Sequence, residues 1–249
     1  AFKQNSDSAK ELAMNNLNSE ELFLMNGFKS MFSSKIVEMI CNWLNNKFMV
    51  VYRADALQLV RKFSDPKKKS AYVERTLNKA AKYFGINSNA IGYVVDGDDT
   101  EARLCSIFDI DEKNSTAIPA EIFESYGTIR FINLFPLVVR ALMTGSTLIV
   151  DEFDASVHPM ALMNIINIFH NDEINTKKAQ LIFNTHNPIF LNSNLYRRDE
   201  IKFVERDEET HYSEHYSLSD FGTSGTVSVR QNQDYMKNYF INRYGAIKD

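Results

Sequence analysis

The sequence predicts an α/β fold in which helices flank a mixed or parallel central sheet. A short apolar stretch, 147–150, ends in the adjacent carboxylates Asp151 and Glu152. A second apolar stretch, 180–183, ends in a polar segment that contains His186. An apolar segment with helical length lies between them. A strand, a helix and a second strand in this order form a βαβ unit, which favours parallel pairing.

The first part of the chain, 1–118, has mostly helical patterns. Apolar residues at helical spacing predict an amphipathic helix over 34–47, and a strand follows over 48–52. Asp65 as N-cap and Pro66 in the first turn predict a second helix that runs to Phe84. The remaining prediction in this part is a strand pair, formed by 91–95 and 104–108 around an acidic loop.

The second part, 119–249, carries the polar motifs. A helix is predicted over 131–144, preceded by the turn Ser125-x-Gly127-Thr128 and closed by Gly145 as its C-cap. Pro159 suits the first position of the next helix, which is apolar nearly all round and therefore expected to be buried. The apolar stretch 180–183 is expected to be a buried strand. Two further strands are predicted over 201–205 and 211–218.

The strand ends carry the candidate chemistry. Two anions at a sheet edge are costly unless a cation or a reacting group lies there. Asp151 is placed to hold Mg²⁺ through water, Glu152 to deprotonate an attacking water, and His186 to donate a hydrogen bond to a γ-phosphate. An acidic turn after an ordinary buried strand is the alternative interpretation.

The turn from Ser125 to Thr128 precedes a helix, where backbone N–H groups and the helix dipole favour a phosphate. The alternative is an ordinary N-cap, since Ser and Thr are common before helices. The one-helix spacing between this turn and Asp151-Glu152 favours the phosphate-binding interpretation.

These motifs, together with Ser156-Val157-His158-Pro159 and Asn184-Thr185-His186-Asn187-Pro188, resemble the C-terminal half of an ABC-type (SMC/Rad50-like) ATPase head. More narrowly, the chain resembles the AAA-family ATP-binding subunits of bacterial anti-phage and abortive-infection systems. The likeness covers roughly residues 120–249 and implies that 119–249 is the half with the signature turn, Walker B strand and switch histidine. It also implies that 1–118 contains a helical insertion and further sheet elements of the head.

The resemblance implies a role for each matching residue. Asp151 would be the Walker B aspartate that holds Mg²⁺ through water, and Glu152 and His186 would be catalytic. A second set would contact the nucleotide of the other protomer in a dimer: Ser125, Gly127, Thr128 and Asp154. The implied cofactors are ATP and Mg²⁺. An expectation follows for Gly127→Asp, which should abolish nucleotide-dependent dimerisation and leave the melting temperature normal.

The family opens with a Gly-rich P-loop, G-x-x-x-x-G-K-[ST], and these 249 residues contain no such motif. The chain also starts with Ala1. We therefore expect it to be the C-terminal part of a longer protein. The alternative is a degenerate ATPase that binds nucleotide only in trans, but the presence of Asp151, Glu152 and His186 argues against it.

Composition narrows the function classes. The net charge of −4 gives no global basic character that would indicate nucleic-acid binding. No apolar stretch reaches the roughly 20 residues that span a membrane, and Cys41 and Cys105 are expected to be free, buried thiols in a reducing compartment. A cytoplasmic location without membrane contact is the expectation.

Three functions follow from the resemblance. The first is an ATPase that forms at least a homodimer around nucleotide and gates a nuclease or toxin effector in anti-phage defence. The second is an SMC/Rad50-like ATPase in DNA repair or maintenance, which keeps DNA or RNA open as a partner. The third is a degenerate nucleotide-binding scaffold.

Overall fold

A computed structural model describes residues 32–52, 61–62, 71–73, 80, 84, 90–95, 101–111, 114–222, 228–230 and 233–245. Two predicted features lie outside these residues: the helix start at Asp65 and Pro66, and the hairpin turn at 96–99.

A three-stranded parallel sheet carries the candidate site. Its strands are β1 (Phe48–Val51), β7 (Thr147–Val150) and β8 (Gln180–Phe183), in the order β1-β7-β8. The last residues of the three strands are in register, because Val51 pairs with Val150 and Val150 with Phe183. The predicted α/β arrangement with a parallel sheet and flanking helices is confirmed.

Five helices are described: α1 (Ser34–Lys47), α2 (Ala120–Phe123), α3 (Tyr126–Thr144), α4 (Pro159–His170) and α5 (Tyr235–Phe240). Two 3₁₀ turns, Pro188–Phe190 and Leu218–Phe221, also occur. Helix α3 begins earlier than predicted because Ser125 caps it, and it ends as predicted at Gly145, whose φ of 65° is left-handed. Apolar residues of α3, β7 and α4 form the main core. They include Phe131, Leu134, Val138, Leu148, Val150, Leu162 and Ile165.

By length and composition, α3 is the one helix within the described ranges that could cross a membrane. Buried α3 residues such as Phe131, Leu134 and Val138 belong to the main core instead. Helix α3 is therefore placed as a core helix of this fold.

A second, antiparallel sheet lies in the first part of the chain. It contains β2 (Arg61–Lys62), β3 (Ala71–Val73), β4 (Ala90–Val95), β5 (Glu101–Asp109) and β6 (Ser115–Pro119). The predicted pairing of 91–95 with 104–108 is confirmed by β4 and β5. The helix predicted up to Phe84 is wrong at Ala71–Val73, which pairs with β4. Pairing with a distant strand overrides the local helical spacing. The helical insertion is not confirmed by the described residues.

The last part of the chain forms a small aromatic layer. The two predicted strands are present, with slightly shifted ends, as β9 (Lys202–Arg206) and β10 (Ser213–Ser217), and they pair antiparallel. Their buried side pairs aromatic rings with those of α5 and the chain after it; the rings belong to Phe203, Tyr216, Tyr239 and Tyr244.

Strand β8 is not buried as predicted. It is an edge strand among the described strands, and the Ile182 side chain is 52% exposed. Helix α4 is likewise buried on one side only, since Met160 is exposed while Leu162 and Ile165 are fully buried. Of the two cysteines, both free, Cys105 is buried as predicted and Cys41 is only half-buried.

Candidate nucleotide site at the strand ends

Backbone pairing continues past the ends of the parallel strands and places Asp151 and Glu152 at the sheet edge. The N–H of Asp151 donates to the Val51 carbonyl oxygen at 3.0 Å. The N–H of Phe153 donates to the Asn184 carbonyl oxygen at 3.2 Å. The acidic segment is therefore held between the ends of β1 and β8, at the edge where ligands bind in sheets of this kind.

Asn184 joins both carboxylate-bearing residues and was not predicted as a site residue. Its side-chain Nδ2 donates to Asp151 Oδ1 at 2.6 Å, and its Oδ1 accepts the Glu152 N–H at 2.6 Å. The strand register offered a signal for Asn184. Val150 pairs with Phe183, so the residues that follow them, Asp151 and Asn184, come side by side. Asn184 thus fixes the Asp151 carboxylate and the Glu152 backbone relative to one another.

Glu152 has a left-handed backbone, with φ at 49°. This conformation costs a non-glycine residue about 1–2 kcal/mol, so its surroundings must hold it. The Glu152 carbonyl oxygen accepts a hydrogen bond from the Ala155 N–H at 3.1 Å and another from Nη2 of Arg130. Its side chain is exposed, and within the described part of the chain its carboxylate forms no ion pair.

The turn from Ser125 to Thr128 is an N-cap of α3. The Thr128 N–H donates to Ser125 Oγ at 3.1 Å, and the two hydroxyl oxygens lie 2.8 Å apart. Ser125 is exposed, whereas Thr128 is only 6% exposed. The N-cap alternative is therefore present in the structure. An N-cap and a nucleotide contact are compatible, and the nucleotide role of Ser125, Gly127 and Thr128 stays a prediction.

Gly127 packs directly against the backbone of the acidic loop, a name we use for residues 151–157. A Cβ atom added at Gly127 would lie 2.2 Å from the Ser156 carbonyl oxygen, far inside van der Waals contact. Ser156 also has a left-handed backbone, with φ at 63°. The expectation that Gly127→Asp leaves the melting temperature normal is therefore wrong, because any side chain at this position would push against the backbone of the same chain.

His186 lies two residues beyond Asn184 and is exposed. The turn around it is fixed by its neighbours: Thr185 Oγ1 accepts the Asn187 N–H at 3.0 Å, and Asn187 Oδ1 accepts the Ile189 N–H at 3.1 Å. Among the described residues, no hydrogen bond joins the His186 imidazole to either carboxylate. His186 thus follows β8 at the sheet edge that also carries Asp151 and Glu152, and its proposed contact with a phosphate stays a prediction.

Asp154 is half-buried in the middle of the acidic loop. The loop is followed by His158, whose Nδ1 accepts the Met160 N–H at 3.3 Å and so caps α4. The predicted contact between Asp154 and the nucleotide of the other protomer can form only in a dimer, and it stays a prediction.

The donor set suits Mg²⁺ bound through water and phosphate rather than by protein alone. Within the described residues no group of three or more His, Cys, Asp or Glu side chains could form a metal cage. Mg²⁺ commonly uses one or two carboxylates, several waters and substrate phosphate oxygens. Asp151 uses Oδ1 toward Asn184 and still has acceptor capacity on its carboxylate, since an ionised carboxylate offers about four lone-pair sites. The residues therefore fit Mg²⁺ when a phosphate ligand is present.

A surface groove of about 290 Å³ lies elsewhere, between α4 and β8. Its lining includes Phe169, Leu181 and Tyr196, and neither carboxylate of the candidate site takes part. Burial raises the pKa of the Tyr196 phenol, which is kept in its neutral form. Nothing in this lining matches the phosphate chemistry of the strand ends.

Comparison with known proteins gives one family and no individual relatives. Residues 3–192, more than half of the chain, match the family described as "AAA domain, putative AbiEii toxin, Type IV TA system". No match was found among curated proteins or solved structures. The matched range contains the Ser125–Thr128 turn, Asp151-Glu152 and His186. The chain therefore belongs to this AAA-domain family of ATPase-type proteins.

Proposed function

We propose that this protein is an Mg²⁺-dependent ATPase that dimerises around nucleotide and gates a nuclease or toxin effector in anti-phage defence. The observation that carries the proposal is the bridge made by Asn184 at the carboxyl ends of parallel strands, where its side chain binds the Asp151 carboxylate and the backbone N–H of Glu152. Membership of the AAA-domain family supports nucleotide binding, and the AbiEii toxin in the family description supports a defence role.

Each residue at the strand ends has a chemical task in this proposal. Asp151 would hold Mg²⁺ through water, and the metal would neutralise charge on the phosphates when bound. The exposed Glu152 carboxylate would orient the attacking water and accept its proton. His186 would donate to a γ-phosphate oxygen.

The Ser125–Thr128 turn would act on the second protomer. Its exposed Ser125 hydroxyl and the backbone N–H groups at the start of α3 would cap the γ-phosphate held by the partner. Binding or hydrolysis of ATP would then change how the two protomers meet, and an effector in trans would respond to that change. A location in the cytoplasm, where ATP is abundant, is part of the proposal.

Binding of ATP tests the proposal first. We expect the 249-residue chain alone to bind Mg-ATP weakly. If the gene encodes a P-loop upstream, the longer protein that contains it should bind Mg-ATP tightly. A P-loop supplies a Lys and a cradle of N–H groups for the α- and β-phosphates. Without them, a triphosphate would be repelled by the carboxylates of Asp151, Glu152 and Asp154. Isothermal titration with Mg-ATP and a hydrolysis assay with Mg²⁺ or EDTA measure both properties. Micromolar affinity of the 249-residue chain would contradict this account of the site.

Asn184→Ala is expected to lower ATP turnover by about tenfold or more, because a misplaced catalytic group costs up to about 10²-fold. It should also reduce stability by about 1 kcal/mol through the lost hydrogen bonds. Turnover at saturating ATP and thermal unfolding are the measurements.

Asn192→Ala is the matched control for Asn184→Ala. The Asn192 Oδ1 accepts the Asn194 N–H at 2.9 Å in the segment that follows the 3₁₀ turn Pro188–Phe190. It should show a similar loss of stability and normal turnover. Equal turnover in the two variants would contradict the role given to Asn184.

A further inference from the structure

Arg130 is a fully buried arginine near the start of α3. Its side chain is only 2% exposed, in a helix whose neighbouring residues Phe131 and Leu134 belong to the apolar core. A buried guanidinium is costly unless hydrogen bonds satisfy it, so its contacts show what it stabilises. One contact goes from Nη2 to the carbonyl oxygen of Glu152.

The two peptide groups that flank Glu152 Cα are both held by other parts of the molecule. The N–H donates to Asn184 Oδ1 at 2.6 Å, on the side of β8. The carbonyl oxygen accepts from Arg130, on the side of α3. Because both peptide planes are fixed, the left-handed φ of 49° at Glu152 is fixed, and with it the direction in which the carboxylate leaves the backbone.

Arg130 and the Ser125–Thr128 turn belong to the same end of α3. Gly127 and Arg130 are three positions apart, so they lie on the same face of the helix. That face meets the acidic loop at two points: Gly127 at the Ser156 carbonyl and Arg130 at the Glu152 carbonyl. A rotation or shift of this helix end would therefore displace the backbone of Glu152.

We propose that Arg130 is a positioning residue: its guanidinium holds Glu152 in the left-handed conformation that aims the general base, and it couples this aim to the turn at the start of α3. The inference rests on the proposed ATPase function. Arg130 does not touch the reacting atoms; it acts through the Glu152 carbonyl oxygen.

The test compares Arg130→Lys and Arg130→Gln with Val138→Ala in the protein as its gene encodes it. Val138 is a fully buried core residue of α3, two turns further along, and its apolar side chain cannot donate a hydrogen bond to Glu152, so its truncation lowers stability without removing such a bond. We expect both Arg130 variants to lose on the order of 10–100-fold in kcat. The KM for ATP should stay within about threefold of the wild-type value, because Arg130 acts through the Glu152 carbonyl oxygen and does not bind the phosphates. The Val138→Ala variant should keep its kcat at temperatures well below its Tm.

Hydrogen exchange provides a readout that does not need activity. Loss of Arg130 should speed exchange of the amides in 152–157 selectively, whereas Val138→Ala should speed exchange across α3 and β7. If the Arg130 variants lose no more kcat than Val138→Ala, or exchange in 152–157 is unchanged, the inference is overturned while the ATPase function stands. If even Arg130→Lys fails to fold, Arg130 is a core residue and the inference is likewise overturned. If the wild-type protein shows no Mg²⁺-dependent hydrolysis, the proposed ATPase function fails, and the positioning role of Arg130 falls with it.

Discussion

Glu152→Gln is expected to lower ATP hydrolysis by about 10²–10⁴-fold, the usual contribution of a general base, while ATP binding persists. The amide keeps the size and shape of the carboxylate but cannot accept the proton of the attacking water. The backbone contacts of Glu152 to Asn184 and Ala155 do not involve its side chain, so the fold should be preserved. Phosphate release at saturating Mg-ATP, ATP affinity and Tm are the three measurements.

Glu173→Gln is the control for the general-base experiment. Glu173 is an exposed carboxylate in the turn after α4, outside the acidic loop. Its substitution should leave hydrolysis, binding and Tm unchanged. A Glu152→Gln protein that hydrolyses ATP within a few-fold of wild type would remove Glu152 from the catalytic role.

Gly127→Ala is expected to destabilise the protein by about 1–3 kcal/mol or more, the range typical of overpacking. The added Cβ would meet the Ser156 carbonyl oxygen at 2.2 Å, and a backbone atom cannot move away without shifting the acidic loop. Because that loop carries Glu152, hydrolysis should fall together with Tm. Thermal unfolding and turnover measured on the same preparation show both effects.

Ser125→Ala measures how much stability the N-cap contributes, and so distinguishes loss of the cap from the steric clash that Gly127→Ala introduces. It removes the oxygen that accepts the Thr128 N–H and should cost about 1 kcal/mol, without a clash. Gly127→Ala should therefore lower Tm further than Ser125→Ala does. A Gly127→Ala variant with wild-type Tm would show that the close approach to Ser156 is absent in solution.

The strand ends were predictable because the strands are short apolar runs that stop at polar residues. Apolar residues in β7 with charged residues immediately after it leave few alternatives to a buried strand that ends at Val150. The helix that begins at Pro159 then forms the connection between β7 and β8. The Gly145 cap was predictable for a similar reason, since the left-handed backbone there favours glycine. These features depend on neighbours in the chain.

The features that could not be predicted depend on distant partners. The sequence at Ala71–Val73 fits a helical spacing, and only the pairing with β4 makes this segment a strand. The hydrogen bond from Arg130 crosses from α3 to the loop after β7, and no local pattern marks an arginine as buried. Gly127→Asp was predicted to act on dimerisation alone, but in the structure a side chain at Gly127 would first meet the Ser156 carbonyl of the same chain.

Among the strands that the structure describes, β8 lies at the edge of its sheet, and this has a practical consequence for handling the protein. Gln180 donates its N–H to the Ser146 carbonyl, on the β7 side, so the N–H and C=O groups of Leu181 and Phe183 point away from β7. Together with the exposed Ile182, these groups form a template on which another extended chain can pair. We therefore expect concentration-dependent association along β8, and Ile182→Lys should reduce it.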